Sequence, residues 1–397
     1  RVLDFENIII TSVNENILPA NSTQNSFIPF DVKIEFGIPT YREKDAIYAY
    51  HFFRLIQRAK NIYLLYNSES DSFGGGEKSR FITQLLQNNK QLKEQHISPK
   101  VTTEQQLPKE VYKDQAVLNR LKEIATNGFS PSALTNYLYN PFEFYKQKIL
   151  KLKEYKEVEE TVAYNTMGTI IHDTLEALYK PFTGKFITVK NLTEMDKKVN
   201  TWVVHFFKQH FHSSDVFTGK NRLIFEVSKN YVTRFIEMEK EVVASNRLKI
   251  IATEQNLDAS ISIEGIDFPI KIHGQVDRID ELNGVTRIID YKSGMVTKSE
   301  LKASDLNEII HEKYSKAIQV LLYAFLYTEN NPNISNISGG IISFKNLKSG
   351  LLQLNFAEKR GEDFNISQDR LQEFIENIKS LILEIFNPEL PFTEKIK

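Results

Sequence analysis

The 397-residue chain contains no cysteine. Disulfides, thiolate zinc sites, iron–sulfur clusters and cysteine nucleophiles are therefore excluded within this sequence, and any metal must be held by oxygen or imidazole ligands. Long apolar runs are missing as well. None approaches the roughly eighteen residues of a membrane-spanning helix, and the N-terminus lacks a charged segment followed by an apolar core and a small-residue cleavage site. A cytoplasmic protein with no membrane contact is the expectation. Charge of one sign is also absent, with 50 Lys and Arg against 51 Asp and Glu. The molecule as a whole thus offers no electrostatic attraction to nucleic acid, and binding of that kind must rest on local patches. Tryptophan occurs once, as Trp202 within a helical pattern, and is assigned to packing.

The length calls for two or three domains rather than one core. Glu6 to Ile10 has a buried-strand pattern with no element before it, so the chain is expected to open inside a structural unit. Tyr41 to Asn67 reads as a helix followed by the apolar strand Ile62–Tyr66. The stretch Gly74-Gly75-Gly76-Glu77-Lys78-Ser79 lacks the spacing that wraps backbone N–H groups around a phosphate, and reads as a linker. The expected division is residues 1–90, a linker with one or two helices over 91–128, and a second domain over 129–397. Within the second, Ser130-Pro131 starts a helix. Lys146, Lys148, Lys151, Lys153 and Lys156 then form the densest basic run, either a track for a phosphate backbone or a solvated face balanced by Glu154 and Glu157. From Met167, residues Ile170, Ile171, Thr174, Leu175 and Leu178 make the buried stripe of a helix. Gly168, His172 and Glu176 form another stripe on it, where the glycine permits close approach of a strand or a ligand. Taken alone, such a histidine is more often structural than a ligand. Later come a strand carrying Glu254 and a helix on which Lys316, Gln319 and Tyr323 share a stripe.

The most informative stretch is Lys271 to Gly294, KIHGQVDRIDELNGVTRIIDYKSG. Asn283-Gly284 signals a two-residue hairpin, because both residues tolerate the positive φ of a type I′ turn. If Leu282 faces Val285, counting back places Asp277 opposite Asp290 and Gln275 opposite Lys292. Carboxylates directly across a strand pair repel, so the pair calls for a cation, and a divalent metal is the natural candidate. Ile270, Ile272, Gly274 and Val276 alternate on the other face and supply the core side. The two-residue strand period sets Lys292 beside Asp290, one group to hold a metal and one to meet a phosphate or the attacking water.

Taken together, G-x-x-x-H-x-x-x-E, G-x-x-D-R-I-D, I-I-D-Y-K-S-G and Q-x-x-x-Y-A occur in order, and the stretch from about 130 to 390 resembles the RecB-like branch of the PD-(D/E)XK nucleases, closest to the AddB type. The first 90 residues resemble the second motor domain of UvrD-like superfamily 1 helicases, on LDFENIIITSVNENILP and on Gln57-Arg58-Ala59-Lys60, where Gln replaces the Thr of the family's motif. The resemblance implies an α/β fold. A restriction-endonuclease-like core, a mixed sheet flanked by helices, would be preceded by a partial helicase-like α/β domain. It implies His172, Asp277, Asp290 and the Tyr291 carbonyl as metal ligands and Lys292 as the catalytic lysine. Gln319 and Tyr323 would line the site and orient Lys292 or the DNA, with Glu176 and Glu254 as acids further out. Mg²⁺ or Mn²⁺ is the implied cofactor, the histidine favouring Mn²⁺ slightly. Relatives of this type commonly carry a cysteine before proline that serves an iron–sulfur cluster. Here the segment is Asn140-Pro141-Phe142, and that cluster cannot form from this chain's residues: either the lineage has lost it or a cysteine-bearing tail is missing.

The implied function is a metal-dependent DNA nuclease, expected to act as an exonuclease in a helicase-nuclease for double-strand break repair and recombination, with an AddA-like partner subunit. With no phosphate loop, the chain is expected to have no ATPase of its own, and Arg58 is taken as structural. The rival readings are a catalytically silent DNA-binding or scaffold protein and a nuclease of the CRISPR-adaptation type.

Overall fold

The structure is a computed structural model that describes residues 3–20, 28–69, 76–89, 91–98, 107–152, 161–211, 218–334, 336–357 and 361–396. The chain divides into two compact units, Arg1–Glu104 and Gln105–Lys397. Residues 105–128, expected as linker, lie in the second.

In the first unit, strand β1 (Asn7–Ile10) leads through helices α1 (Phe30–Glu35) and α2 (Tyr41–Ile56) to β2 (Asn61–Leu64), which pairs with it in parallel. Parallel neighbours need a crossover, which α2 helps to provide. Helix α3 (Arg80–Asn88) follows, and Val13, Phe52, Phe81 and Ile82 form the small core. Ser79, at the end of the glycine-rich stretch, caps α3 by accepting the Phe81 N–H. Arg58 is ion-paired to Asp4 at 2.8 Å and Arg54 to the same carboxylate at 2.7 Å.

The second unit opens with β3 (Glu110–Val111), α4 (Gln115–Asn127), α5 (Pro131–Tyr139) and α6 (Pro141–Phe144). Each helix start has a side-chain cap, Asp114, Ser130 and Asn140 in turn, and Pro opens α5 and α6 where its missing N–H costs nothing. Asn140, where the resemblance would have a cysteine, thus serves as a helix cap. Then come α7 (Tyr164–Tyr179), β4 (Phe186–Ile187), α8 (Val189–His210) and α9 (Gly219–Ser245). The sheet strands β5 (Leu248–Ile261), β6 (Ile270–Leu282) and β7 (Val285–Lys292) follow, and α10 (Ser315–Asn330) crosses over to β8 (Ile337–Ser343). Finally β9 (Leu351–Gln353) precedes α11 (Gln368–Phe386) and β10 (Phe392–Thr393), which pairs with β3.

The sheet runs β4-β5-β6-β7-β8-β9, antiparallel except for β7 with β8. This is the expected mixed sheet between helices. Alternation along β7 divides the apolar side chains between two cores: Ile288 joins the cluster of α4, α5, α10 and α11, whereas Ile289 and Tyr291 join that of α7, α8 and α9. A strand buried on both faces usually reads as a continuous apolar run; β7 departs from this in burying Thr286, Arg287 and Asp290. No described helix is long and apolar enough to cross a membrane.

Candidate metal centre

The hairpin turn is where the sequence places it, with Asn283 and Gly284 at φ of 52° and 87°. Register follows the count from Leu282↔Val285 through Arg278↔Ile289, where the regular pairing of β6 with β7 ends. One position further on, Asp277 does not pair with Asp290 by backbone. Its carboxylate instead accepts the Tyr291 N–H at 2.6 Å. The expected pairing of Gln275 with Lys292 is likewise absent: Gln275 pairs with Asn256 on β5, and its side chain donates to the Glu254 carbonyl at 3.4 Å. β6 leaves β7 at this point and stays with β5.

That departure brings in Glu254. Flanking pairs Thr253↔Arg278 and Gln255↔Val276 set Glu254 across from Asp277. Its backbone has φ of 47°, the left-handed region that a side chain with a Cβ disfavours. Strain of this kind, of order 1–3 kcal/mol, persists where surrounding structure holds it and clusters at functional sites. Helix α7 supplies His172. Its buried stripe, Met167, Ile170, Ile171, Thr174, Leu175 and Leu178, presses against the sheet, and Gly168 lets the helix approach: a Cβ there would lie 3.2 Å from Ser293 Oγ. His172 Nδ1 then sits 3.4 Å from Asp277 Oδ1 and 3.9 Å from Glu254 Oε1. One donor atom from each of His172, Glu254 and Asp277 falls within 4.8 Å of the others. Glu254, expected from sequence as an outer acid, stands in this cluster. Glu176 does not, and pairs with Lys180 at 3.0 Å.

Asp290 lies beside the cluster. Gln319 on α10 donates to its Oδ1 at 2.9 Å and also to the Tyr323 hydroxyl at 2.9 Å. Gln319 therefore orients the aspartate rather than Lys292. Gly274 makes this possible, since a Cβ on it would stand 2.6 Å from Tyr323 Cε1. Lys292 Nζ is 2.7 Å from the buried Asp290 Oδ2, an ion pair. Lys316, which shares the Gln319 stripe and had no role assigned from sequence, faces the same charges. Burial and then Lys292 lower its pKa, against the pull of Asp290 and Glu300.

The titration behaviour reflects crowding of like charge in a dry place. Burial, then Asp277, push Glu254 up to about 7 against the opposing effect of His172. Burial pushes Asp290 up to about 6, with Lys292 opposing and Asp277 adding to the rise. For His172 burial disfavours the imidazolium, but the hydrogen bond and charge of Asp277, with Asp290 and Glu254, outweigh it and raise the pKa. The donor set fits a hard divalent cation: two carboxylates and an imidazole converge, with the Asp290 carboxylate next to them. Ligands at about 2.1 Å in an octahedron stand about 3 Å apart when adjacent and about 4 Å when opposite, and the His172 nitrogen lies 3.4 Å from Asp277 and 3.9 Å from Glu254.

Behind the hairpin lies a dry ion network. Arg278, fully buried, is 3.0 Å from Glu239 and 2.7 Å from Asp280, and Arg287 binds Asp280 at 2.6 Å. Tyr179 donates to Glu239 at 3.0 Å and lies under the Arg278 guanidinium. The network joins α7, α9, β6 and β7 and fixes the backbone that carries His172, Asp277 and Tyr291.

Of the basic run, Lys146 is paired with Glu143 and lies over the Phe142 ring, Lys148 sits in a π-helical turn at Tyr145–Ile149, and Lys151 is exposed. Lys153 and Lys156 lie outside the described residues.

The sequence profile of the PD-(D/E)XK nuclease superfamily matches residues 128–396. The chain belongs to this superfamily. Among individual proteins, it is 27% identical over 191 residues to an uncharacterized protein of Rickettsia conorii, covering 46% of this chain and 21% of that one. An uncharacterized protein of Rickettsia felis is 26% identical over 215 residues, 52% of this chain and 22% of the relative. One component of the ATP-dependent helicase/deoxyribonuclease of Streptococcus agalactiae is 25% identical over 173 residues, 41% of this chain and 14% of that component. The chain thus corresponds to about a fifth or less of each relative's length.

Proposed function

We propose that the second unit is a divalent-metal-dependent deoxyribonuclease that hydrolyses phosphodiesters, acting as an exonuclease. The observation that carries this reading is the convergence of His172, Glu254 and Asp277 beside the Asp290–Lys292 pair. These three residues, joined by Asp290 and the Tyr291 carbonyl, would hold Mg²⁺ or Mn²⁺. A bound ion of this kind supplies charge neutralisation at the phosphate and lowers the pKa of water.

The protein's own groups do the rest. Lys292 is partly exposed at the edge of the cluster, where its ammonium meets a non-bridging phosphate oxygen and stabilises the charge that grows in the transition state. Gln319 and Tyr323 hold Asp290 in one orientation, so that little reorganisation accompanies substrate binding. Of the basic run, Lys148 and Lys151 supply charge for the phosphates of the bound strand. By likeness to the streptococcal helicase/deoxyribonuclease component, the whole protein would be a cytoplasmic member of a helicase-nuclease for double-strand break repair and recombination, paired with an AddA-like helicase, and the first unit would descend from a helicase domain.

Incubation with linear single- and double-stranded DNA in Mg²⁺, Mn²⁺ or EDTA tests the activity. Metal-dependent cleavage that Asp277→Asn abolishes is expected. A folded parent inert with both ions would replace this reading with that of a silent DNA-binding protein.

A further inference from the structure

Helix α8 packs against α7 through Leu192, Met195, Val199, Val203 and Phe207. Trp202 and Phe206 lie beside this stripe and are only half-buried, so the buried seam does not use up their surfaces. Their rings are nearly parallel, 5.8 Å apart at 19°, and the His210 ring continues the series at 6.4 Å and 22°. Four-residue spacing on a helix builds this row. Trp202 and Phe206 form one wall of a groove of about 420 Å³ whose other wall is α7, with Asp173, Glu176 and Lys180. Asp173 follows His172 directly, and Glu176 is one turn further on. The groove therefore adjoins the candidate centre.

We propose that this groove is a base-stacking subsite, in which an unpaired DNA strand lays a nucleobase against Trp202 and Phe206 as it approaches the centre. The inference rests on the nuclease reading and names the form of substrate the site takes. Flat aromatic faces accept any base, because every base has a π-face. Glu176 is paired with Lys180 at 3.0 Å and the Asp173 carboxylate is hydrogen-bonded to the His210 ring at 2.5 Å, which leaves lone pairs on both acids as acceptors for exocyclic amino groups. Lys198, exposed one turn before Trp202, offers a cation to a phosphate flanking the stacked base. The volume lies within the range of small-ligand clefts, about 300–1,000 Å³.

Trp202 is the chain's one tryptophan, so its emission reports on this groove. The test titrates the whole chain, in EDTA, with a short oligodeoxyadenylate and with an abasic strand of equal length. Saturable quenching by the adenylate and none by the abasic strand is expected. Phe206→Leu, which keeps the reporter, should weaken adenylate binding by about tenfold, the scale of one lost stack. Circular dichroism verifies that the variant is folded. Equal quenching by both strands, no quenching, or unchanged affinity in folded Phe206→Leu overturns the subsite. Cleavage in Mn²⁺ is measured in parallel. Cleavage without quenching removes the subsite and leaves the nuclease reading, whereas quenching without cleavage does the reverse.

Discussion

Asp290→Asn in metal-free protein gives a quantitative test of the site's electrostatics. Burial holds the parent carboxyl at about 6, against 3.8 as the ordinary value. In the unfolded chain it returns to the ordinary value, so between those limits the folded state binds more protons. Stability from the protonated form is complete below the unfolded pKa and is lost as pH rises through the folded one. A shift of about two pKa units corresponds to about 3 kcal/mol. Glu254, raised to about 7, adds loss in the same direction and remains in both proteins. Asparagine does not titrate and can keep the bond from Gln319, so the comparison isolates Asp290.

Urea unfolding in EDTA at about pH 5 and about pH 8, followed by Trp202 emission from the second unit, measures the effect. Because pH 5 lies only about one unit below the folded pKa, the variant should gain about 1.4 kcal/mol of that total relative to the parent between the two pH values. Saturating Mn²⁺ should restore the parent, by about 2.7 kcal/mol at a hundred times Kd, and the variant by less. A parent-to-variant difference that is the same at both pH values would refute the account of Asp290 as a buried, crowded carboxylate.

Lys292→Ala deletes a cation that is not a ligand, so calorimetry should find Mn²⁺ binding retained while kcat falls by about 3 kcal/mol, or over a hundredfold. Gly274→Ala drives a methyl into Tyr323 and should destabilise the second unit by about 1–3 kcal/mol and reduce cleavage through Asp290, as urea midpoints and rates will report. Arg278→Met leaves Glu239 and Asp280 short of a buried partner and should cost about 3–5 kcal/mol in the same unfolding assay. Glutamate at Lys148 and Lys151 should flatten the salt dependence of DNA binding without altering the metal requirement, measured by anisotropy across a salt series.

The hairpin was legible because its information is local. Asn283-Gly284 sets the turn, and the turn sets the register as far as Arg278↔Ile289. Helix starts at Ser130-Pro131 and the stripe on α7 were legible for the same reason, each being a contact between near neighbours in sequence. Glu254 is harder to place because β5 reaches β6 through residues 262–269, whose Glu264-Gly265 turn does not set the register: counting from it would put Asp277 opposite Ala252, whereas the strands set it opposite Glu254. Trp202 packs against the core of α7, α8 and α9, as the helical pattern leads one to expect, but helical spacing does not show that part of its ring stays exposed. The lysine run read as one patch, yet Lys146 is held by Glu143. Sequence density of charge does not distinguish a paired cation from a free one.

Two polar clusters share β6 and β7, and their charge balance separates their roles. Behind the hairpin, Arg278 and Arg287 meet Glu239 and Asp280, two cations to two anions, fully enclosed. A buried network survives desolvation only when its charges are matched and bonded; here the charges match, and of the Arg278 nitrogens only Nε is left without a hydrogen bond. In front, Glu254, Asp277 and Asp290 meet Lys292 and Lys316, with His172 and Gln319 as further polar partners. Three carboxylates against two ammonium groups leave a deficit of one positive charge when the histidine is neutral. Burial first, and the neighbouring carboxylates after it, raise Glu254 and Asp290, while the carboxylates raise His172 against burial. A divalent cation held here would offset the deficit without protons and would favour the charged forms of Glu254 and Asp290. The strained backbone at Glu254 and the early parting of β6 from β7 at Asp277 are what bring the third carboxylate close enough to create the deficit.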